Sequence, residues 1–164
     1  MRDSSFPEYH VKTTEEKTVC HEAKVVHFDD LALMDPFVDP IETFLEEHSA
    51  GTTSFVKEVK PGFFALVVDK AHASYFREGA MLLVATSCYP KNGDTVIAKI
   101  RKTDALLQAT YHREGDQISL IPLDGGAAVS WDCSQSKGYL LWIYPLLEAH
   151  MDLSADAEGG EENR

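Results

Sequence analysis

The sequence predicts a mainly β domain with one helix near its start, and three observations carry that expectation. From residue 53 onward the chain divides into short runs rich in Val, Ile, Leu and aromatic residues: SFVKEV, FFALVVD, AMLLVA, DTVIAKI, ALLQATY, QISLIPL and GYLLWIYPLL. Turn signals separate them, at Pro61-Gly62, Asn92-Gly93-Asp94, Glu114-Gly115-Asp116 and Asp124-Gly125-Gly126. Only one clear helical period occurs, in DPIETFLEEHSAG. Short strands at this spacing imply a barrel or sandwich-like domain with a helix packed near its start.

The helix is the best-marked single element. Asp39 stands where an N-cap would, Pro40 suits the first helical position, and Glu42 sits where a capping-box carboxylate reaches back. Ile41, Phe44, Leu45 and His48 fall on one face, and Gly51 marks the stop. Before it, residues 1–24 are polar and charged and read as a flexible or partner-ordered arm. KVVHFDDLALMDPF reads as an extended segment lying on a domain that spans 25–150, and residues 151–164 read as a disordered acidic tail.

Bulk composition narrows the function classes. The chain has 164 residues, 44% of them apolar, enough for one domain with a real core. No apolar run approaches the roughly 18 residues of a membrane span, and the polar N-terminus has no signal-peptide core. A cytoplasmic protein without membrane contact is the expectation. Cys20, Cys88 and Cys133 are far apart and form no CxxC pair, so they read as reduced thiols. The formal net charge is −12, and residues 1–35 hold four Lys/Arg against eight Asp/Glu. A surface that grips DNA phosphates needs the opposite sign, so direct nucleic-acid binding is not expected.

Several pieces in order carry a family resemblance: GFFALVV, a turn, FREGAMLLV, PKNGDTVIAKI, HREGDQISLIPLD and the closing LLWIYPLL. Together they resemble the C-terminal domain of LexA-like and UmuD-like proteins, the S24 family of serine peptidases, over roughly residues 53–148. The resemblance implies a β-clip type fold and a Ser–Lys dyad. A serine hydroxyl needs a base within hydrogen-bond reach, and a lysine serves only when burial drives it to the neutral form. Counting back from Phe76 and Gly79 puts the family's Gly-Asp-Ser-Met turn on Asp69, Lys70, Ala71 and His72. Counting back from Arg113 puts the lysine on Ala109, or on Gln108 if the register slips by one. Both halves of the dyad are missing, so catalytic residues are expected to be absent.

A displaced dyad is a weak alternative. Ser74 follows Ala71 by three residues, and Lys70, Lys99 and Lys102 are near in sequence. A nucleophile moved around a turn points elsewhere, and a misplacement of about 1 Å costs on the order of a hundredfold in rate. The scissile small-residue pair of the family is also missing: its spacing reaches Pro36-Phe37, and Ala50-Gly51 reads as a helix end.

Other constellations are weaker. Cys20, His21 and His27, with His10 upstream, contain zinc-type ligands, but no pair has the ligand spacing of a structural site. No metal or cofactor is expected. His72 could serve as a base only with a nucleophile to activate, and none stands beside it. Tyr139, Trp142 and Tyr144, with Trp131, form a candidate interface patch, since aromatic residues are enriched at binding hot spots. Trp142 and Tyr144 share one strand face, which core packing explains equally well.

The resemblance implies a catalytically dead interaction module, a homodimer or a heterodimer with a related protein, in transcriptional or DNA-damage (SOS-type) regulation. Family members associate as dimers through this domain, commonly by its C-terminal strand region. The alternatives are a self-cleaving peptidase with a displaced nucleophile and a β-domain that binds a small ligand.

Overall fold

Runs of β-branched and aromatic residues dominate the chain's second half, and the backbone follows them into a mainly β fold. The computed structural model describes residues 8–12, 20–135 and 138–152. Among these residues the strands are β1 (Glu8–Lys12), β2 (His21–His27), β3 (Thr52–Phe55), β4 (Phe64–Val67) and β5 (Met81–Val84). They continue as β6 (Thr95–Ile100), β7 (Leu106–Glu114), β8 (Gln117–Pro122), β9 (Val129–Asp132) and β10 (Leu140–Asp152). Two short helices, α1 (Phe28–Leu31) and α2 (Ile41–His48), follow β2. No helix among the described residues is long and apolar enough to cross a membrane.

The strands pair in the order β3-β2-β4-β5-β10-β6-β7-β8-β9, with β1 added to β10. The long strand β10 joins two half-sheets. Its first part, Leu140 to Pro145, pairs with β6, and its second part, Leu146 to His150, pairs with β5. Pro145 stands at the handover, where a missing N–H is tolerated. The register shifts nearby, between Leu146 and Glu148, and such bulges bend a strand.

Alternation along the strands builds three apolar clusters. Phe64 and Leu66 of β4, with Leu82 and Val84 of β5, face the central cluster, where Phe28, Leu31, Phe44 and Leu45 of the helices close over them. Ala65 and Leu83 turn to the opposite face, against Val25, Phe55 and Phe63. Strands buried on both faces read as continuous apolar runs, which is how these two read in the sequence. Val96, Ala98, Ala109 and Leu120 form the third cluster. Trp131 of β9 stacks on Tyr139, just before β10, at 4.5 Å, so side chains from the two borders of this half-sheet meet.

Several expectations change here. Two of the three residues of the expected interface patch, Trp142 and Tyr144, lie in the core, and Tyr139 is half-buried. Trp142 and Tyr144 are core residues stacked at 5.3 Å, and Trp142 Nε1–H donates to the Met34 carbonyl at 3.1 Å. Tyr139 is occupied by Trp131. A buried indole N–H needs an acceptor, and the turn after α1 supplies it. Helix α2 lies where expected, but its N-cap is Pro40 and no side chain caps it; Asp39 is exposed. The segment expected to be extended instead holds the end of β2, then α1.

The expected boundary at residue 25 falls inside β2. Residues 8–12, within the expected arm, form β1, and Met151 and Asp152 close β10. The remainder of the expected arm and tail, residues 1–7, 13–19 and 153–164, lies outside the described residues. SFVKEV forms a strand only up to Phe55, because the following backbone turns to a different partner. The Glu148 carboxylate, fully buried, accepts hydrogen bonds from Val56 N–H at 3.0 Å and Lys57 N–H at 2.8 Å.

Candidate functional site

The turn between β4 and β5 is held by one carboxylate. Asp69 precedes a single 3₁₀ turn, Lys70–His72, and its Oδ1 accepts the His72 backbone N–H at 2.8 Å. The same oxygen lies 2.7 Å from His72 Nδ1. Burial acts to raise the Asp69 pKa, but the hydrogen bonds and the charge of His72 outweigh it and hold the carboxyl below its ordinary value. The His72 ring also stacks on Phe28, centroids 3.9 Å apart and planes 4° from parallel. Capping spacing, an acidic residue with a partner three positions on, is the sequence signal for this arrangement.

Strand β7 supplies the opposite wall. Gln108 Nε2 donates to the His72 carbonyl at 3.2 Å, and the Gln108 backbone carbonyl accepts from Leu123 N–H at 2.9 Å. Between turn and strand lies a cleft of about 320 Å³, bordered by Ala71, Ser74, Tyr75, Leu106, Gln108 and Asp124 among others.

Alternation on β7 separates the two candidate base positions. Gln108 pairs with Ile97, a residue of the central cluster, whereas Ala109 pairs with Val96 and is fully buried in the third cluster. Of the two registers, Gln108 is the one that meets the turn; Ala109 points away from it. Ala71 is exposed at the cleft edge. The structure therefore brings Ala71 and Gln108 to one cleft.

Of the residues weighed as substitutes, Ser74 borders the cleft and Lys99 is engaged elsewhere. Ser74 lies on the cleft wall, with its backbone N–H donating to the Phe76 carbonyl at 3.0 Å. Lys99 is on the same sheet face as Gln108, since it pairs with Leu106 and Gln108 with Ile97. The buried Lys99 Nζ donates to the Ala32 carbonyl and lies 3.2 Å from the Asp104 carboxylate. Lys70 and Lys102 are exposed.

His21 and His27 sit at opposite ends of β2, about 20 Å apart at an ordinary strand rise, too far to share an ion. Among the described residues no three His, Cys, Asp or Glu side chains group as a metal site would require.

The two loops that carry the family resemblance touch. Asn92 Oδ1 accepts the Arg113 backbone N–H at 2.5 Å, and Asn92 Nδ2 donates to the Arg113 carbonyl at 3.0 Å. Arg113 in turn donates through Nε to the Gly115 carbonyl at 2.7 Å. No family model and no curated protein matches the chain.

Proposed function

We propose that this chain is a LexA/UmuD-like protein-interaction module that does not cleave peptide bonds. The observation that carries the reading is Ala71 facing the same cleft as Gln108. Where the resemblance asks for a serine and a lysine, the chain offers a methyl group and a primary amide, neither of which is a nucleophile or a base near neutral pH. The Asn92 link between the PKNGD and REGD loops supports reading both as parts of one inherited unit. The partner is a protein, either a second copy or a related chain. Regulation of transcription or of a DNA-damage response is the setting that the resemblance implies.

A small-ligand domain would want a deep apolar pocket away from the 69–76 turn. The larger groove, about 540 Å³ between β2, α2 and residues 59–63, is edged by Glu22, Glu42, Glu46, Lys24 and Lys60. Its charged rim does not favour that alternative.

The test is intact mass after prolonged incubation at alkaline pH, where a lysine base would lose its proton. An unchanged mass is expected. A discrete fragment would overturn the proposal and return attention to Ser74.

A further inference from the structure

The first half of β2 has a partner on one side only. Its pairing with β3 runs from His21 to Lys24, whereas its pairing with β4 begins at Val25 opposite Ala65. Val25 donates its N–H to the Gly51 carbonyl at 2.9 Å and accepts Ala50 N–H at 2.8 Å, so its polar groups face β3. Backbone groups alternate between the two edges of an antiparallel strand, so those of Glu22 and Lys24 face the other way. On that side no described strand stands opposite Glu22. Residues 59–63 leave a groove of about 540 Å³ there instead. Glu22 N–H and C=O, with Lys24 N–H, form a short open strand edge along it.

The two sides of the groove differ in chemistry. Val26 belongs to the central cluster and Val25 to the second, so Glu22 and Lys24 lie on the α2 side and Ala23 on the opposite side. The α2 wall is Glu42, Leu45 and Glu46, neighbours on one helix face. The opposite side is apolar, with Ala23 and Phe63 buried and Val59 half-buried. Three exposed carboxylates, on Glu22, Glu42 and Glu46, outnumber the ammonium groups of Lys24 and Lys60 along the rim. None of these five makes an ion pair among the described residues.

A segment that adds to an open strand edge presents alternate side chains to opposite faces. Beside Glu22 and Lys24, one set would meet the α2 wall and the other Ala23, Val59 and Phe63. Glu42 and Glu46 are separated by about 6 Å along the helix axis, close to the about 6.7 Å between alternate strand residues. Cationic side chains two positions apart therefore suit both carboxylates, and the chain's net charge of −12 favours their approach.

We propose that this groove takes an extended segment of a partner protein, added to β2 as a strand. Its Lys or Arg residues at alternate positions face Glu42 and Glu46, and the apolar residues between them face Phe63. The proposal uses neither the 69–76 turn nor Gln108, so it survives or fails independently of whether the chain cleaves peptides.

The experiment titrates the full chain into a fluorescein-labelled peptide, Gly-Lys-Val-Lys-Val-Lys-Gly, and follows anisotropy. Saturable binding is expected, and its absence would overturn the proposal. A peptide of the same composition with grouped residues, Gly-Lys-Lys-Lys-Val-Val-Gly, separates strand addition from attraction by net charge; equal affinity for both would overturn it. The double variant Glu42→Gln/Glu46→Gln should weaken binding of the alternating peptide by about tenfold. The charge-matched pair Glu47→Gln/Glu78→Gln, exposed and outside the groove, should leave it unchanged. Equal weakening by both pairs would reduce the effect to overall charge and sink the idea. Light scattering on the same variants covers the remaining occupant. A dimer lost only in Glu42→Gln/Glu46→Gln, with no peptide bound by the parent chain, would give the groove to a second copy and overturn the basic segment.

Discussion

Tyr144 carries its phenol into the central core against Trp142, and burial pushes its pKa up to about 12. An unfolded tyrosine ionises near 10, so the folded state keeps a proton that the unfolded state has released. The contribution is fully present below pH 10 and is lost as pH rises from about 10 to about 12, a change of about 2–3 kcal/mol. Urea unfolding at a series of alkaline pH values should show this slope. In a Tyr144→Phe variant, which keeps the ring, that part of the slope should disappear. The sequence shows that Trp142 and Tyr144 share a face; it cannot show that the face turns inward. Only Met34, more than a hundred positions away, supplies the carbonyl that takes the indole proton.

Between residues and the whole sheet, one carboxylate ties two elements together. Glu148 of β10 takes both Val56 N–H and Lys57 N–H, which ends β3 and fixes the start of the next loop. In Glu148→Gln one acceptor oxygen becomes an amide that faces a donor. A stability loss on the order of 1–3 kcal/mol is expected by chemical denaturation. An unchanged midpoint would remove the tie as a determinant of the loop.

Strands β4 to β8 and β10 are legible in the sequence because each combines an apolar run with a turn marker on at least one side. The β7–β8 hairpin shows this well: Glu114 pairs with Gln117, and Gly115 turns the corner at a φ of 61°, a conformation that favours glycine. Strands β1, β2 and β9 are not legible as elements. Their residues are short or mixed in polarity, and partner strands supply their pairing. Capping chemistry misleads in the same way at α2. Asp39 has the right type and place, yet the helix begins without it, because packing of Phe44 and Leu45 into the core is enough.

At the scale of the molecule the net charge of −12 governs what can approach. A fluorescent DNA duplex titrated with the protein at about 50 mM salt, where phosphate attraction is strongest, should show no change in anisotropy. Binding that weakens steeply with added salt would contradict that expectation.

What the sequence alone determined is local and periodic: a mainly β chain, its one clear amphipathic helix, its turns, and the absence of serine and lysine at the positions where the resemblance seeks them. The tertiary structure decided everything that depends on which distant residues meet. Strand alternation sent Gln108 to the cleft and Ala109 to the core. A contact across the half-sheet set Tyr139 against Trp131, and the length of β10 let one strand serve β5, β6 and β1. A run of apolar residues specifies that a segment will be buried, but only the pairing of strands fixes the face and the neighbour.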